Sequence, residues 1–277
     1  MRPPSQQVVT DDVRLALQED LGNGDCTASL IPVENTLQTR VVCRETAVLC
    51  GGPWFEEAFR QLSGGIAICW QKSDGDEMEP DQEVCRLEGS ARSILSGERT
   101  ALNFLQTLSG TATQARRYTH AVSGTGAIIL DTRKTIPGLR LAQKYAARCG
   151  GASNHRTGLY DAILIKENHI SAAGSITVAV TEALRLYPDL LLEVEVENLE
   201  QLKEAEAAGA QRVLLDNFSL ADLNSAVDEF KGRIGLEASG GIDLESVRAI
   251  AETGVDFISA GDITKSVQAV DFSMRFI

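Results

Sequence analysis

The chain has 277 residues, enough for one large domain or for a small and a large one, and either would bury a sizeable core. It is 43% hydrophobic and 23% charged with a formal net charge of −13, which excludes nucleic acid and anionic membrane as expected partners because both demand basic surfaces. No apolar run approaches the roughly 18 residues a membrane span needs, and MRPPSQQVVTDD lacks the apolar stretch of a secretory signal, so a soluble, cytoplasmic protein is expected.

Residues 1 to about 100 read as a mixed α+β unit. A helical pattern covers Val13 to Leu21, strand-like runs follow in LQTRVVCRE, GIAICWQKS and QEVCRLEG, and a helix is expected near Trp54 to Leu62. A long helical segment from about Gly97 to His120, broken near Ser109-Gly110, would lead into the second part. The six cysteines form no C-x-x-C pair and the three histidines are dispersed, so the cysteines read as reduced, mostly core thiols and a structural zinc site is not expected.

From about residue 127 short β-branched runs alternate with helical patterns. The expected strands are AIILD (127 to 131), DAILI (161 to 165), LLLEVEVE (190 to 197), RVLLD (212 to 216), IGLEA (234 to 238) and VDFISA (255 to 260). Between them lie helices opened by Pro137 and closed by Gly150-Gly151, near Ser175 to Tyr187, from Leu199 to Ala208 with Asn198 as cap and Gly209 as stop, and around Leu220 to Phe230; a last one carries Leu244, Val247 and Ile250. This alternation calls for a parallel sheet with right-handed crossovers. Glu193, Glu195 and Glu197 share one strand face, and a barrel mouth can hold such carboxylates where an open sheet packed under apolar helices could not. A parallel α/β barrel, either incomplete or with strands the pattern does not show, is therefore expected behind the mixed α+β unit.

In such a barrel the active site sits at the carboxyl ends of the strands. Those ends read Asp131-Thr132-Arg133-Lys134-Thr135, Lys166-Glu167-Asn168-His169, Glu195, Asp216-Asn217, Ser239-Gly240-Gly241 and Gly261-Asp262-Ile263, with Asn154-His155-Arg156-Thr157 in the loop after the first helix. The window from Asp131 to His169 carries +4 against −17 for the rest of the chain, a basic island suited to a small anion. Within it Arg140, Lys144 and Arg148 also fit a plain solvated helix face. The SGG and GDI loops occupy positions where barrels build phosphate sites, and Glu195 and Asp216 offer carboxylates for ribose hydroxyls or magnesium, or else a structural salt bridge.

The block DTRKTIPGLRLAQKYAARCGGASNHRTGLYDAILIKENHI, with EVEVEN, LLDNF, EASGGI, ISAGDITKS and the earlier GDCTASLIP and GERTALNFLQTLSGTAT, resembles the quinolinate phosphoribosyltransferases (decarboxylating) along nearly the whole chain. The resemblance implies an N-terminal α/β sandwich domain over 1 to 108 (an α+β sandwich), an incomplete seven-stranded parallel α/β barrel over 109 to 267, and a C-terminal tail at about 268 to 277 returning to the first domain. It implies quinolinate and phosphoribosyl pyrophosphate as substrates, Mg2+ as cofactor, no organic cofactor, and a homodimer in which Arg99 reaches the neighbouring site. By the same resemblance Arg133, His155, Arg156 and Lys166 line the quinolinate pocket with Lys134 also in the cationic site, Thr132 is a further substrate-binding residue, Glu195 and Asp216 face the ribose and metal, and Ser239, Gly240, Gly241 and Gly261 face phosphate. Lys134, Lys166, Glu195 and Asp216 are the expected catalytic groups. Quinolinate's two adjacent carboxylates suit the planar forks of Arg133 and Arg156, and its ring nitrogen is its own nucleophile. Three other readings remain at this point: a class I aldolase with Lys166 as Schiff base, a molybdenum-transport-associated relative of the same family, and a phosphate-ligand sensor without catalysis.

Overall fold

The computed structural model describes residues 2–277, packed as two compact units. The first takes the chain through Arg116, the segment Thr135–Gly151 and the C-terminal Ser266–Ile277; the second takes Arg117–Lys134 and Ala152–Lys265. Four cysteines are buried, Cys26 and Cys69 are exposed, and all six are free thiols.

In the first unit, α1 (Gln6–Leu21) buries Val9, Val13 and Leu17, spaced four apart on one helix face. Strands β1 (Thr36–Cys43), β3 (Ala67–Trp70) and β5 (Glu83–Ser90) belong to an antiparallel sheet, while β2 (Ala47–Val48) pairs with β4 (Glu77–Met78). The C-terminal strand β12 (Phe272–Phe276) completes the first sheet in the order β12-β1-β5-β3, pairing antiparallel with β1. Helix α2 (Gly52–Leu62) carries Pro53 in its first turn and inserts Trp54, Phe55, Ala58 and Phe59 into the core.

Two expectations for this unit need correction. Helix α3 (Ala91–Ala121) runs unbroken for 31 residues through Ser109-Gly110. Gly110 is there for close packing, since a Cβ on it would overlap the Gln268 carbonyl oxygen, and the Ser109 hydroxyl takes a hydrogen bond from the Cys50 amide (2.9 Å). Helix α4 (Arg140–Cys149) is no solvated face: Lys144 is only 2% exposed, and the neighbouring Gln143 donates to the Thr111 hydroxyl at 3.2 Å.

The second unit holds six parallel strands: β6 (Ile128–Leu130), β7 (Ile163–Ile165), β8 (Leu192–Val196), β9 (Arg212–Asp216), β10 (Gly235–Ser239) and β11 (Phe257–Ser259). Their order is β6-β11-β10-β9-β8-β7. The seventh strand implied by the resemblance is reduced to one parallel bridge, Ser153 beside Leu130, so the barrel is incomplete. The linking helices are α5 (Glu167–Ala173), α6 (Ile176–Leu186), α7 (Leu199–Ala208), α8 (Leu220–Phe230), α9 (Val247–Glu252) and α10 (Asp262–Lys265). Side-chain caps start three of them: Ser175 accepts from the Val178 amide, Asn198 from Gln201 and Ser219 from Asp222. Helix α7 stops at Gly209, whose φ of 99° is the left-handed conformation glycine adopts without strain. Among the described residues no helix is long and apolar enough to cross a membrane.

Candidate active site

The expected site residues other than Arg99 all fall in the second unit, at the carboxyl ends of its strands. After β6, the buried Asp131 carboxylate accepts from the His155 amide (2.9 Å) and from the Asn154 side chain (2.6 Å). Asp161 brackets the same loop from its other end, accepting from the amides of Thr157 (2.7 Å) and Gly158 (2.9 Å). Burial alone would raise the Asp161 pKa, but those hydrogen bonds outweigh it and hold the carboxyl below its ordinary value. The loop carrying His155 and Arg156 is thus pinned by two carboxylates whose role the strand-end pattern did not specify.

His155 turns both ring nitrogens toward the protein. Its Nδ1 accepts from the Arg156 amide at 2.8 Å, so the ring proton sits on Nε2, which lies 2.9 Å from Glu193 and 3.5 Å from Glu237. Arg156 is half-buried, and its pKa is lowered first by that burial and next by the charge of Arg133; Glu193, Asp161 and Glu195 oppose the shift from farther down the order of effects. Arg133 and Arg156 thus add like charge to the same end of the sheet, which favours an anion there.

Lys166 follows β7 and forms an ion pair with Glu195 of β8, in the register that sets Ile165 beside Val194. Lys166 is also the residue preceding α5, and its amide donates to His169 Nδ1 at 3.0 Å. His169, exposed, thereby caps a helix that the sequence pattern did not reveal. Asp216 ends β9 half-exposed, accepting from the Asn217 side chain at 2.9 Å.

The glycine loops meet the cationic strand end. A Cβ on Gly261 would lie 3.0 Å from Lys134 Cδ and 3.6 Å from the Thr132 hydroxyl, so Lys134 and Thr132 flank that turn. The Thr264 hydroxyl donates to the Lys134 carbonyl at 2.8 Å. Gly240 has φ 99°, and a side chain there would overlap the Asn217 side chain and come within 2.8 Å of its amide nitrogen. Tyr118 ties the two loops together, its hydroxyl 3.2 Å from Asp262 and 3.4 Å from the Ile242 carbonyl. Nothing in the sequence pattern singled out Tyr118. Arg99 lies in the first unit, exposed on α3.

Beneath the mouth is a second group that the strand-end pattern passed over. Glu193 and Glu237 are buried on β8 and β10, and Arg212 of β9 is 3.4 Å from Glu237 with its guanidinium 3.9 Å above the Phe257 ring. The row of Glu193, Glu195 and Glu197 divides accordingly: Glu193 lies inside, Glu195 is half-buried and Glu197 is exposed beyond the strand.

Such a fold defines an α/β-barrel enzyme, with cationic and carboxylate side chains gathered at the carboxyl ends of its strands. Residues 25–109 match the family described as "Quinolinate phosphoribosyl transferase, N-terminal domain", and residues 111–275 match its C-terminal domain. The chain is 42% identical over 257 residues to the probable nicotinate-nucleotide pyrophosphorylase (carboxylating) of Bacillus subtilis, covering 92% of this chain and 89% of that one. The structure is similar to the nicotinate-nucleotide pyrophosphorylase of Francisella tularensis, with a TM-score of 0.97, 48% identity, and 99% and 97% of the two chains covered. It is also similar to NadC from Streptococcus pyogenes, with a TM-score of 0.96 and 36% identity over 100% of each chain. The chain belongs to the quinolinate phosphoribosyltransferase family.

Proposed function

We propose that the protein is a type II phosphoribosyltransferase converting quinolinate and phosphoribosyl pyrophosphate to nicotinate mononucleotide, pyrophosphate and carbon dioxide, a step of de novo NAD biosynthesis. The observation that carries this reading is the half-buried Arg156 guanidinium, whose charged form is disfavoured by burial and then by the charge of Arg133, so that a bound anion would stabilise it. Adjacent carboxylates on a flat ring supply that anion in the planar form two guanidinium forks recognise. The printed names of the relatives support the same chemistry.

In the reaction the pyridine nitrogen forms a bond to the ribose C1 as the bond from C1 to pyrophosphate breaks. Glu195 and Asp216 face the positive charge that develops on the ribose. The ribosylated ring then carries a positive nitrogen, which stabilises the electron pair left on C2 when the 2-carboxylate departs as carbon dioxide, and C2 takes up a proton. Arg133, Arg156, Lys134, Lys166 and Thr132 hold the dicarboxylate; Ser239, Gly240, Gly241 and Gly261 hold the phosphate. Glu195 and Asp216 also fit magnesium, being hard oxygen donors at neighbouring strand ends, half-exposed so that water or substrate oxygens can complete its shell. When bound there, the ion would neutralise pyrophosphate charge.

A homodimer in which Arg99 serves the partner's site, and a cytoplasmic location, belong to this proposal. The aldolase reading fits less well, because the Lys166 side chain is engaged in an ion pair with Glu195 rather than left open to attack a carbonyl. Incubation with both substrates and magnesium should yield nicotinate mononucleotide on a chromatogram, and either substrate alone should yield none. Absence of product from correctly folded protein would overturn the reading.

A further inference from the structure

The cysteines are scattered along the sequence, yet the fold brings two of them together with a carboxylate inside the first unit. Cys50 follows β2, Asp74 lies in the turn before β4, and Cys149 ends α4. One donor atom from each residue, the two Sγ atoms and an Asp74 carboxylate oxygen, lies within 4.8 Å of the others. Both cysteines are fully buried, and Asp74 is half-buried.

Hydrogen bonds to the backbone hold the three segments in place. The Cys50 amide donates to the Ser109 hydroxyl at 2.9 Å, and that hydroxyl donates back to the Cys50 carbonyl at 3.1 Å. The Arg116 guanidinium donates to the Cys149 carbonyl at 3.3 Å and to the carbonyl of Gly75, next to Asp74, at 3.2 Å. Gly51 (φ 118°) lets the Cys50 segment close on α3, since a Cβ there would stand 3.2 Å from Leu105 Cα. Asp74 accepts from the amides of Gly51 (3.2 Å) and Gly52 (3.1 Å) and from the Tyr145 hydroxyl (2.8 Å). These bonds orient the carboxylate without exhausting it, because its two oxygens offer about four acceptor sites.

Packing of two core thiols would explain the burial of Cys50 and Cys149, but not a carboxylate within reach of both sulfurs. Two thiolates and a carboxylate are a donor set for a borderline-soft divalent cation, softer than the all-oxygen shell magnesium takes. In a tetrahedral zinc site, bonds of about 2.3 Å to sulfur and about 2.1 Å to oxygen set neighbouring donors about 3.6 to 3.8 Å apart. Each of the three donors would therefore move by less than about 1 Å to close on the ion. An entry path is present as well. Gly52, Trp70, Ser73, Asp74 and Tyr145 line one groove of the unit, so Asp74 borders both the groove and the thiols.

We propose that Cys50, Cys149 and Asp74 form a zinc site within the first unit, with water from the groove as the fourth ligand and the Tyr145 hydroxyl holding the carboxylate. On binding, each thiol releases its proton to solvent and its sulfur donates an electron pair to the ion, with no change of oxidation state. The ion clips together the connection from β2 to α2, the turn before β4 and the end of α4. This site is separate from the strand-end residues and does not depend on the phosphoribosyltransferase reading.

The test uses the whole protein, reduced and stripped with a chelator, in excess magnesium to occupy oxygen-only sites. Titration with Cd2+ as a zinc surrogate should raise a thiolate-to-metal ultraviolet band that saturates at one ion per chain, with a dissociation constant below about 1 μM. Zn2+ should abolish the band by displacement. Cys50→Ala and Cys149→Ala should each weaken binding about 100-fold or more, and Asp74→Asn about 10-fold or more with the band retained. Cys26→Ala and Cys69→Ala, which alter the two exposed thiols, should leave both band and affinity unchanged. A missing band in the unaltered protein, or a full band in Cys50→Ala, overturns the proposal. Should the buried-cysteine variants fail to fold, zinc-edge X-ray absorption of the zinc-loaded chain carrying Cys26→Ala and Cys69→Ala decides. Two sulfur neighbours with an oxygen remainder uphold the site; a shell of nitrogen and oxygen alone, or no bound zinc, refutes it. None of these readings requires turnover, so failure to make nicotinate mononucleotide would count against the functional reading alone.

Discussion

The Arg156 guanidinium lies close enough to Arg133 to have its charged form disfavoured by it, after the larger effect of its own burial. An anion between them relieves both costs at once, and the planar fork matters as well as the charge. Arg156→Lys is therefore expected to weaken quinolinate binding about 10 to 150-fold, the span of a lost charge-assisted bond. Calorimetric titration with quinolinate measures it, and an unchanged dissociation constant would remove Arg156 from the pocket.

The two glycines of the SGG loop should respond differently to alanine. At Gly240 a methyl group would press on the Asn217 backbone, whereas at Gly241 (φ 59°) it meets open space and only the left-handed conformation opposes it. The backbone cost at Gly241 is about 1 to 2 kcal/mol. Gly240→Ala should accordingly raise the KM for phosphoribosyl pyrophosphate several-fold more than Gly241→Ala, while the quinolinate dissociation constant stays near wild type in both. Equal effects on both ligands would mean that the loop has collapsed generally.

Glu237 makes stability depend on pH. Its carboxyl is pushed from an ordinary 4.5 up to about 8, by burial and then by Glu193. Between those values the folded protein holds a proton that the unfolded chain has released, so this contribution is fully present below about pH 4.5 and is lost as pH rises toward 8. Glu237→Gln does not titrate, and relative to wild type it should gain on the order of 3 kcal/mol between pH 5 and pH 8. Urea midpoints at the two pH values check this. Parallel midpoints would show that Glu237 is ionised throughout.

The six barrel strands were legible because each is a short, largely apolar run set between helical patterns, and the bounds of α7 because Asn198 and Gly209 mark its ends chemically. Where a residue's role is set by a distant part of the chain, local pattern misled. Gly110 looked like a break because the requirement for a glycine comes from Gln268 packing on the helix. Lys166 to His169 looked like a loop of functional groups, yet His169 caps α5. Leu244 fitted a helical repeat but is exposed and lies before α9, which starts at Val247. Glu237 was overlooked since EASGGI drew notice for its glycines; its inward position on a strand beside buried Glu193 was the available signal.

Arg99, exposed on α3, tests the assembly. If it completes the partner's pocket, Arg99→Ala and Lys166→Ala homodimers should each be nearly inactive. Subunit exchange of equal amounts makes half the dimers mixed, each with one of two sites intact, so about a quarter of wild-type activity should return. Activity that stays at background after exchange is confirmed by mass would place Arg99 outside the partner's site.

The most direct measurement of the central claim uses quinolinate labelled with carbon-13 in its 2-carboxylate, incubated with phosphoribosyl pyrophosphate and magnesium. Labelled carbon dioxide, pyrophosphate and nicotinate mononucleotide should appear in equal amounts, and none should form without the phosphoribosyl donor. Release of pyrophosphate with no labelled carbon dioxide, or of carbon dioxide without the donor, would contradict it.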